Sequence, residues 1–260
     1  VYFWCVVKLS IIGTGNVAFH LAKAFSQAQG VKLQFVAGRD SEKLRTFEGF
    51  TTTLDLNKEL EETFYSDVIL IAVSDASIAA VSQKLIESKA LIVHTSGSAA
   101  IEILDQNKHC GVFYPLQSFS KEKELVYKEI PFLIEAKLQG DLMILKDLTK
   151  SLSASYFTVN SKDRAALHLA AVFSNNFTNH ILTEAKQLCN DHKVSFELLK
   201  PLMLETVQKA FSIGPENSQT GPAKRKDTPT INKQLSALKS AEQKELYALL
   251  TQAIQNHYER

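Results

Sequence analysis

The amino-acid sequence predicts an α/β protein in two parts: a doubly wound, largely parallel sheet in the N-terminal part and an all-helical C-terminal part. Three observations carry that expectation. Near the N-terminus an apolar run closes on a glycine-punctuated turn and passes at once into a helical pattern. Strand-like and helix-like segments then alternate, the pattern of a sheet covered by helices on both faces. Past Asn160 every periodic segment is helical and no convincing strand appears again.

The first element is the stretch from Val6 to Phe25, VVKLSIIGTGNVAFHLAKAF. Val6, Val7, Leu9, Ile11 and Ile12 read as a strand, and Val17, Phe19, Leu21, Ala24 and Phe25 as one face of a helix. The turn between them, Gly13-Thr14-Gly15-Asn16-Val17-Ala18, has the G-x-G-x-x-G/A spacing that signals dinucleotide binding when it links strand to helix. Gly13 permits the turn, Gly15 lets the backbone approach a pyrophosphate, and Ala18 is small enough for the helix to pack on the strand. The helix N-terminus offers unpaired N–H groups and partial positive charge to phosphates. A merely structural glycine turn is the competing reading, and the flanking strand and helix weigh against it.

Val31 to Ala37 reads as the second strand, ending at Gly38-Arg39-Asp40, with Ser41 placed to cap a short helix through Phe47. Thr51 to Leu54 follows as a short strand and Asp55 to Phe64 as an acidic helix. Asp67 to Val73 is an almost unbroken apolar run, which belongs to a strand buried on both faces. Ala76 to Ser88 is helical, Leu91 to His94 a strand, and His94-Thr95-Ser96-Gly97-Ser98 leads into a helix ending near Gln106. Gly111 to Tyr114, Ile130 to Glu135 and Ser155 to Val159 complete the strands, with a helix to about Leu152 between the last two. Ser161 to Asp191 is one long helical stretch and Phe196 to Phe211 another. A Gly- and Pro-bearing loop over 213–229 precedes helices at Thr230 to Leu238 and Ala241 to His257. The expected domains are 1–158 and 159–260, closely packed because no low-complexity linker separates them.

At 45% hydrophobic and 22% charged residues the chain of 260 has the composition of an ordinary globular protein. A net charge of +1 gives no bulk attraction to nucleic acid or to an anionic membrane surface. Cys5, Cys110 and Cys189 are scattered and odd in number, so reduced thiols and a cytoplasmic setting are expected. The opening VYFWCVV lacks a basic lead-in and is interrupted by Lys8, so it reads as a buried first strand. No uninterrupted apolar run approaches the roughly 18 residues that span a bilayer.

Ligands of open α/β sheets lie beyond the carboxyl ends of the strands. The sequence puts Gly13 to Ala18, Gly38-Arg39, Ser74-Asp75, His94 to Ser98 and Tyr114-Pro115 there. Phe35, Val36 and Ala37 offer no carboxylate for a ribose 2′-hydroxyl. Arg39 suits a 2′-phosphate, helped by Ser41 or Lys43, so NADP is expected over NAD. The rival is a solvated turn in which Arg39 pairs with Asp40. On the long helix His168, Asn175 and Asn179 share a narrow arc at 100° per residue, opposite Leu169, Phe173, Phe177 and Ile181. That uncharged His/Asn strip is read as lining a cleft, and His180 as a core histidine. Gln219-Thr220-Gly221-Pro222-Ala223-Lys224-Arg225-Lys226-Asp227 gathers donors and cations on a Gly-Pro turn, a solvated basic loop being the alternative. The seven histidines show no metal-ligand spacing, and His94 to Ser98 lacks the first glycine of a nucleophile elbow.

These motifs carry a resemblance. IIGTGNVAFHLAKAF is similar to the turn of pyrroline-5-carboxylate reductases and deazaflavin-dependent NADP oxidoreductases. HTSGS at 94–98, YPLQSF at 114–119, LHLAAVFSNNFTNH at 167–180 and QTGPAKRKD at 219–227 resemble a Rossmann-like two-domain family whose helical C-terminal domain is of unknown function. The outline is similar to the 6-phosphogluconate dehydrogenase C-terminal-like superfamily. The HTSGS stretch is also loosely similar to prephenate dehydrogenases, but their histidine has no counterpart here because Tyr114 stands before Pro115.

The resemblance implies an NADP-linked oxidoreductase without a settled substrate. Together with the strand-end residues it gives the expectation of hydride transfer between NADP(H) and a small carbonyl, imine or hydroxy acid; a non-catalytic NADP-binding or sensing protein is the alternative. The expected cofactor site comprises Gly13, Thr14, Gly15, Asn16, Val17, Ala18, Gly38, Arg39, Ser74, Asp75 and His94. The expected substrate pocket lies where the domains meet, with His94, Ser96, His168 and Asn175 closed over by Thr220 to Arg225. His94 and His168 are candidates for the proton donor, since histidine titrates near neutral pH, and Arg225 for the anchor of a substrate carboxylate. The apolar helices 167–177 and 198–204 further predict a homodimer built by the helical domain, with no nucleic acid, membrane or metal involved.

Overall fold

The computed structural model describes residues 6–259; expectations that fall on residues 1–5, the start of the VYFWCVV run and Cys5 among them, lie outside the described residues. The chain divides into two compact units, one up to Asn176 and one from Phe177 on.

Among the described residues the first unit holds an eight-stranded sheet in the order β3-β2-β1-β4-β5-β6-β7-β8. Its strands are β1 (Val7–Ile12), β2 (Val31–Gly38), β3 (Thr52–Asp55), β4 (Val68–Ile71), β5 (Leu91–His94), β6 (Cys110–Pro115), β7 (Phe132–Ala136) and β8 (Tyr156–Thr158). β1 to β6 are parallel, while β7 runs antiparallel to β6 and β8 follows β7 in parallel. The chain order reverses at β1, which pairs with β2 on one side and β4 on the other. That reversal opens a crevice at the carboxyl edge, where dinucleotides bind in folds of this kind.

β4 and β5 are buried at every position, which explains their unbroken apolar sequences. One face of the sheet is covered by α1 (Asn16–Phe25), α2 (Ser41–Arg45) and α4 (Gln139–Ser151), packing Leu21, Phe25, Leu44 and Leu145 on Leu9, Ile11, Phe113 and Ile134. The other face meets α3 (Asp75–Gln83) through Ile78 and a 3-10 turn through Ile101 and Leu104. Two expected helices are shorter than their sequences suggest: Asp55 to Phe64 contributes a 3-10 turn, Leu60–Tyr65, and the segment after Ser98 contributes Ile101–Leu104.

The expected single helix from Ser161 to Asp191 is not one regular helix. α5 (Ser161–Ala171) passes into a π-helical turn, Val172–Phe177, before α6 (Thr178–Asp191) resumes. A π turn takes more residues per revolution than an α turn, so the 100° spacing that aligned Asn175 and Asn179 with His168 does not hold across it. His180 is exposed, 3.7 Å from Glu184, and is not a core residue. The second unit continues with α7 (Lys200–Ile213), α8 (Pro215–Ser218), α9 (Thr228–Ala237) and α10 (Ala241–Tyr258), and has no strand among its described residues. No helix among the described residues is long and apolar enough to cross a membrane.

Candidate active site

A cavity of about 920 Å3 opens at the carboxyl edge of β1, β2, β4, β5 and β6. This is within the size class of cofactor and small-molecule sites, roughly 300–1,000 Å3. Its floor is the glycine turn. Gly13 has a φ of +137°, and a Cβ there would lie 2.1 Å from the carbonyl oxygen of Ala72 at the end of β4. Gly38 meets Thr14 so closely that a Cβ would fall 2.5 Å from its Cγ2. Gly15 caps α1 without a side-chain hydrogen bond, and the first turn carries no acid. The N–H groups there are left for an anion. Ala18 is fully buried and serves helix packing rather than the cavity wall.

The second-strand end is open for a phosphate. Asp40 caps α2, accepting from the backbone N–H of Glu42 at 3.1 Å and of Lys43 at 3.2 Å, and its carboxylate pairs with Lys43 at 3.3 Å. The Lys43 backbone bond is the main reason its carboxyl titrates below the usual range. Arg39 makes no ion pair among the described residues and lines the cavity. The rival pairing of Arg39 with Asp40 is therefore absent.

Across the cavity, Ser74 stands at the start of α3 with its hydroxyl 3.0 Å from that of Ser77, and Asp75 accepts a short hydrogen bond from Ser98 Oγ. Ser96 lines the cavity, but its Oγ accepts from the N–H groups of Ser98 (3.1 Å) and Ala99 (2.9 Å), so it shapes the loop. His94 departs from its expected role. It is completely buried below the cavity, and its Nδ1 accepts from the Ser96 N–H at 3.2 Å. Burial first, and the charge of Arg164 second, lower its pKa to about 4. His94 is neutral at physiological pH and, buried, does not line the cavity, so it is not placed to hand a proton to a ligand there.

His168 does reach the cavity, and its Nδ1 lies 3.0 Å from the phenolic oxygen of Tyr114 at the end of β6. Gly97 passes beside the pair: a Cβ there would stand 2.6 Å from His168 Nδ1 and 2.7 Å from Tyr114 Cζ. One turn before His168, Arg164 is fully buried and ion-paired with Glu135 of β7. It also donates to the carbonyl of Ala99 at 2.5 Å and to Ser161 Oγ at 3.1 Å. The segment between β6 and β7 completes the wall with Gln117 and Phe119. It is strapped to α1: Asn16 Nδ2 donates to the Phe119 carbonyl (2.9 Å), and a His20 ring nitrogen lies 2.9 Å from the Ser120 carbonyl. Tyr127, whose pKa burial pushes up to about 12, donates to the His20 carbonyl at 2.9 Å.

Eleven of the expected residues thus converge: Gly13, Thr14, Gly15, Asn16, Val17, Gly38, Arg39, Ser74, Asp75, Ser96 and His168 all line the cavity. Asn175 does not, being exposed on the π turn. Thr220 and Arg225 are exposed in the second unit. There Lys224 sits over the Tyr258 ring, Lys226 pairs with Glu259, and Asp227 caps α9. Sequence reasoning put Gly97 and Tyr114 at the ligand edge of the sheet but gave them no role, and it missed Arg164. Arg164 left little signal, since it follows Ser161-Lys162-Asp163 and reads as one more charge in the first turn of a helix, one turn before His168.

A parallel sheet whose switch point carries this glycine turn defines a dinucleotide-binding protein, here followed by a helical region. The glycine cradle, the unpaired helix N-terminus and Arg39 without a partner acid fit an NADP molecule. Residues 8–97 match the family described as NADP oxidoreductase coenzyme F420-dependent, and residues 130–254 match a domain of unknown function, DUF2520. The chain belongs to the family that joins these two domains. A Bacteroides fragilis protein provisionally named an NADP oxidoreductase is 35% identical, with 97% of this chain and 99% of that one covered and a TM-score of 0.88. A Thermotoga maritima protein shares the fold at 23% identity and a TM-score of 0.69, over 96% of this chain and 98% of its own. The Plasmodium falciparum pyrroline carboxylate reductase, solved with NADP bound, shares it at 16% identity and a TM-score of 0.59, over 96% and 98%. None of the curated proteins compared with the chain matches it.

Proposed function

We propose that the protein is an NADP-dependent oxidoreductase acting on a small carbonyl, imine or hydroxy acid. The observation that carries this reading is a single cavity with a phosphate-type glycine turn and Arg39 at one side and the polar Tyr114–His168 pair at the other. Gly13, Gly15 and the first turn of α1 would hold the pyrophosphate, and Arg39 the 2′-phosphate. When bound, the nicotinamide supplies or accepts the hydride. Thr95, Tyr114 and His168 are left to orient the substrate and exclude or order water.

The test is calorimetric titration with NADPH and NADH, followed by a thermal-shift and turnover screen of 2-oxo acids, hydroxy acids and cyclic imines. Tighter binding of NADPH than NADH, with turnover of one class, supports the reading. NADPH binding without turnover of any class favours a sensing protein, and absence of NADPH binding refutes the oxidoreductase reading. We further propose a homodimer through the second unit, where α7 exposes Leu202, Leu204, Val207 and Phe211.

A further inference from the structure

We infer that Tyr114 and His168 form a proton relay that opens on the cavity, and that the substrate is therefore a carbonyl–alcohol pair rather than an iminium. The inference rests on the reading of the cavity as an NADP-linked redox site.

The geometry is specific. Tyr114 Oη and His168 Nδ1 are 3.0 Å apart, and the rings meet edge to face with centroids 5.8 Å apart. Both residues line the cavity. Gly97 is the position that admits them, because any Cβ there would enter both rings. Arg164 sets the start of α5 against Glu135 and Ala99, and so fixes His168 one turn later. With Nδ1 facing the phenol, Nε2 is the ring atom left to meet a ligand.

Burial pushes the Tyr114 phenol above its usual pKa, with the charges of Arg164 lowering it and of Asp75 raising it. The phenol is thus protonated at rest and donates to Nδ1. With Nδ1 accepting from the phenol, the imidazole's own proton sits on Nε2.

The chemistry follows from counting protons. An iminium carries its proton on nitrogen before reduction, and its product amine needs none from the protein. Reduction of a carbonyl breaks the C=O π bond, forms a C–H bond with the hydride, and leaves an oxygen that must receive a proton. Here that oxygen takes the Nε2 proton of His168, Nδ1 takes the phenolic proton of Tyr114, and water returns a proton to the phenolate. An alkoxide is a stronger base than a phenolate, so the relay runs downhill. Oxidation of the alcohol runs the same transfers in reverse.

Two measurements on the full-length protein test this. The first needs no substrate: long-range 15N–1H NMR of the imidazoles in wild type and Y114F. His168 is expected to carry its proton on Nε2, with a hydrogen-bonded Nδ1 whose resonance moves toward the unbonded value in Y114F. A protonated Nδ1, or a resonance that does not move, overturns the relay. The second follows NADPH oxidation with panels of 2-oxo acids and of cyclic imines. Turnover of a 2-oxo acid is expected, with kcat falling roughly 100-fold in Y114F and in H168N while KM and NADPH affinity hold. Turnover of imines alone, turnover of neither class by a protein that binds NADPH, or unchanged kcat in either variant overturns it. A wild-type protein that does not bind NADPH refutes the underlying redox reading instead, and calorimetry registers that separately.

Discussion

Replacing Arg164 by methionine probes the joint between α5 and the sheet. The guanidinium is fully buried and serves the carboxylate of Glu135, the carbonyl of Ala99 and the hydroxyl of Ser161. Methionine keeps much of the aliphatic stem but leaves the carboxylate and the carbonyl without their donor. Losing one partner of a buried ion pair costs about 3–5 kcal/mol. The low end applies here, because Glu135 keeps 17% of its side-chain surface and the Ser161 N–H and hydroxyl still reach it at 3.0 and 2.8 Å. R164M should therefore lose about 3 kcal/mol. The double variant E135L/R164M should recover most of that, because no charge is then left buried alone. The assay is urea unfolding followed by circular dichroism, read on the transition of the sheet-containing unit. An R164M stability within about 0.5 kcal/mol of wild type, the range of neutral surface changes, would refute the buried pair as the anchor of α5.

Four further outcomes are expected. The pKa of His94 falls from 6.5 to about 4 on folding. Its contribution to stability is therefore whole above pH 6.5 and is lost as pH drops toward 4, by up to about 3 kcal/mol; H94Q should flatten that part of a pH–stability curve, and an unchanged curve would refute it. R39A should weaken NADPH roughly tenfold to a hundredfold, the range for a hydrogen bond to a charged group, and leave NADH unchanged; equal losses in calorimetry would remove the 2′-phosphate assignment. G13A should lower the melting temperature and abolish NADPH binding, since the new methyl group would fall 2.1 Å from Ala72 O on a backbone with φ +137°; normal binding would show that the turn yields. Light scattering should give about twice the chain mass of 28.9 kDa at micromolar concentration, and a monomer would end the dimer proposal.

Much of the sheet was legible because its signals are local. Leu91 to His94 is a strand at the positions its sequence predicts, and the Gly13 turn declares both its neighbours. The direction of β7 was not legible. Ile130 to Glu135 reads the same whether the chain pairs parallel or antiparallel, and only the register with β6 decides. Arg39 and His168 could be singled out as residues of unusual type at their positions. Tyr114, Gly97 and Arg164 act through partners 54, 71 and 29 residues away, respectively His168, His168 and Glu135, and no spacing rule reports such pairs. Asn175 misled for a related reason: its alignment with His168 assumed an unbroken α-helical period, which the π turn at Val172–Phe177 interrupts. His94 misled because titration depends on burial, and burial of a strand-end residue is decided by what folds over it.

The antiparallel entry of β7 has a consequence in commensurate lengths. Glu135 pairs with Val112, and two residues further along β6 stands Tyr114. Two strand residues advance about 6.6 Å, and the four residues from Arg164 to His168 rise about 6 Å along α5. Helix and strand therefore act like two rulers whose marks coincide at both contacts, Arg164 with Glu135 and His168 with Tyr114. A helix that slid by one turn would match neither mark: Arg164 would lie at the level of the phenol, and His168 would lie beyond it. Alignment of α5 on the sheet is thus all-or-none, and insertions or deletions between positions 164 and 168 should be far less tolerated than ones in the loop before Ser161.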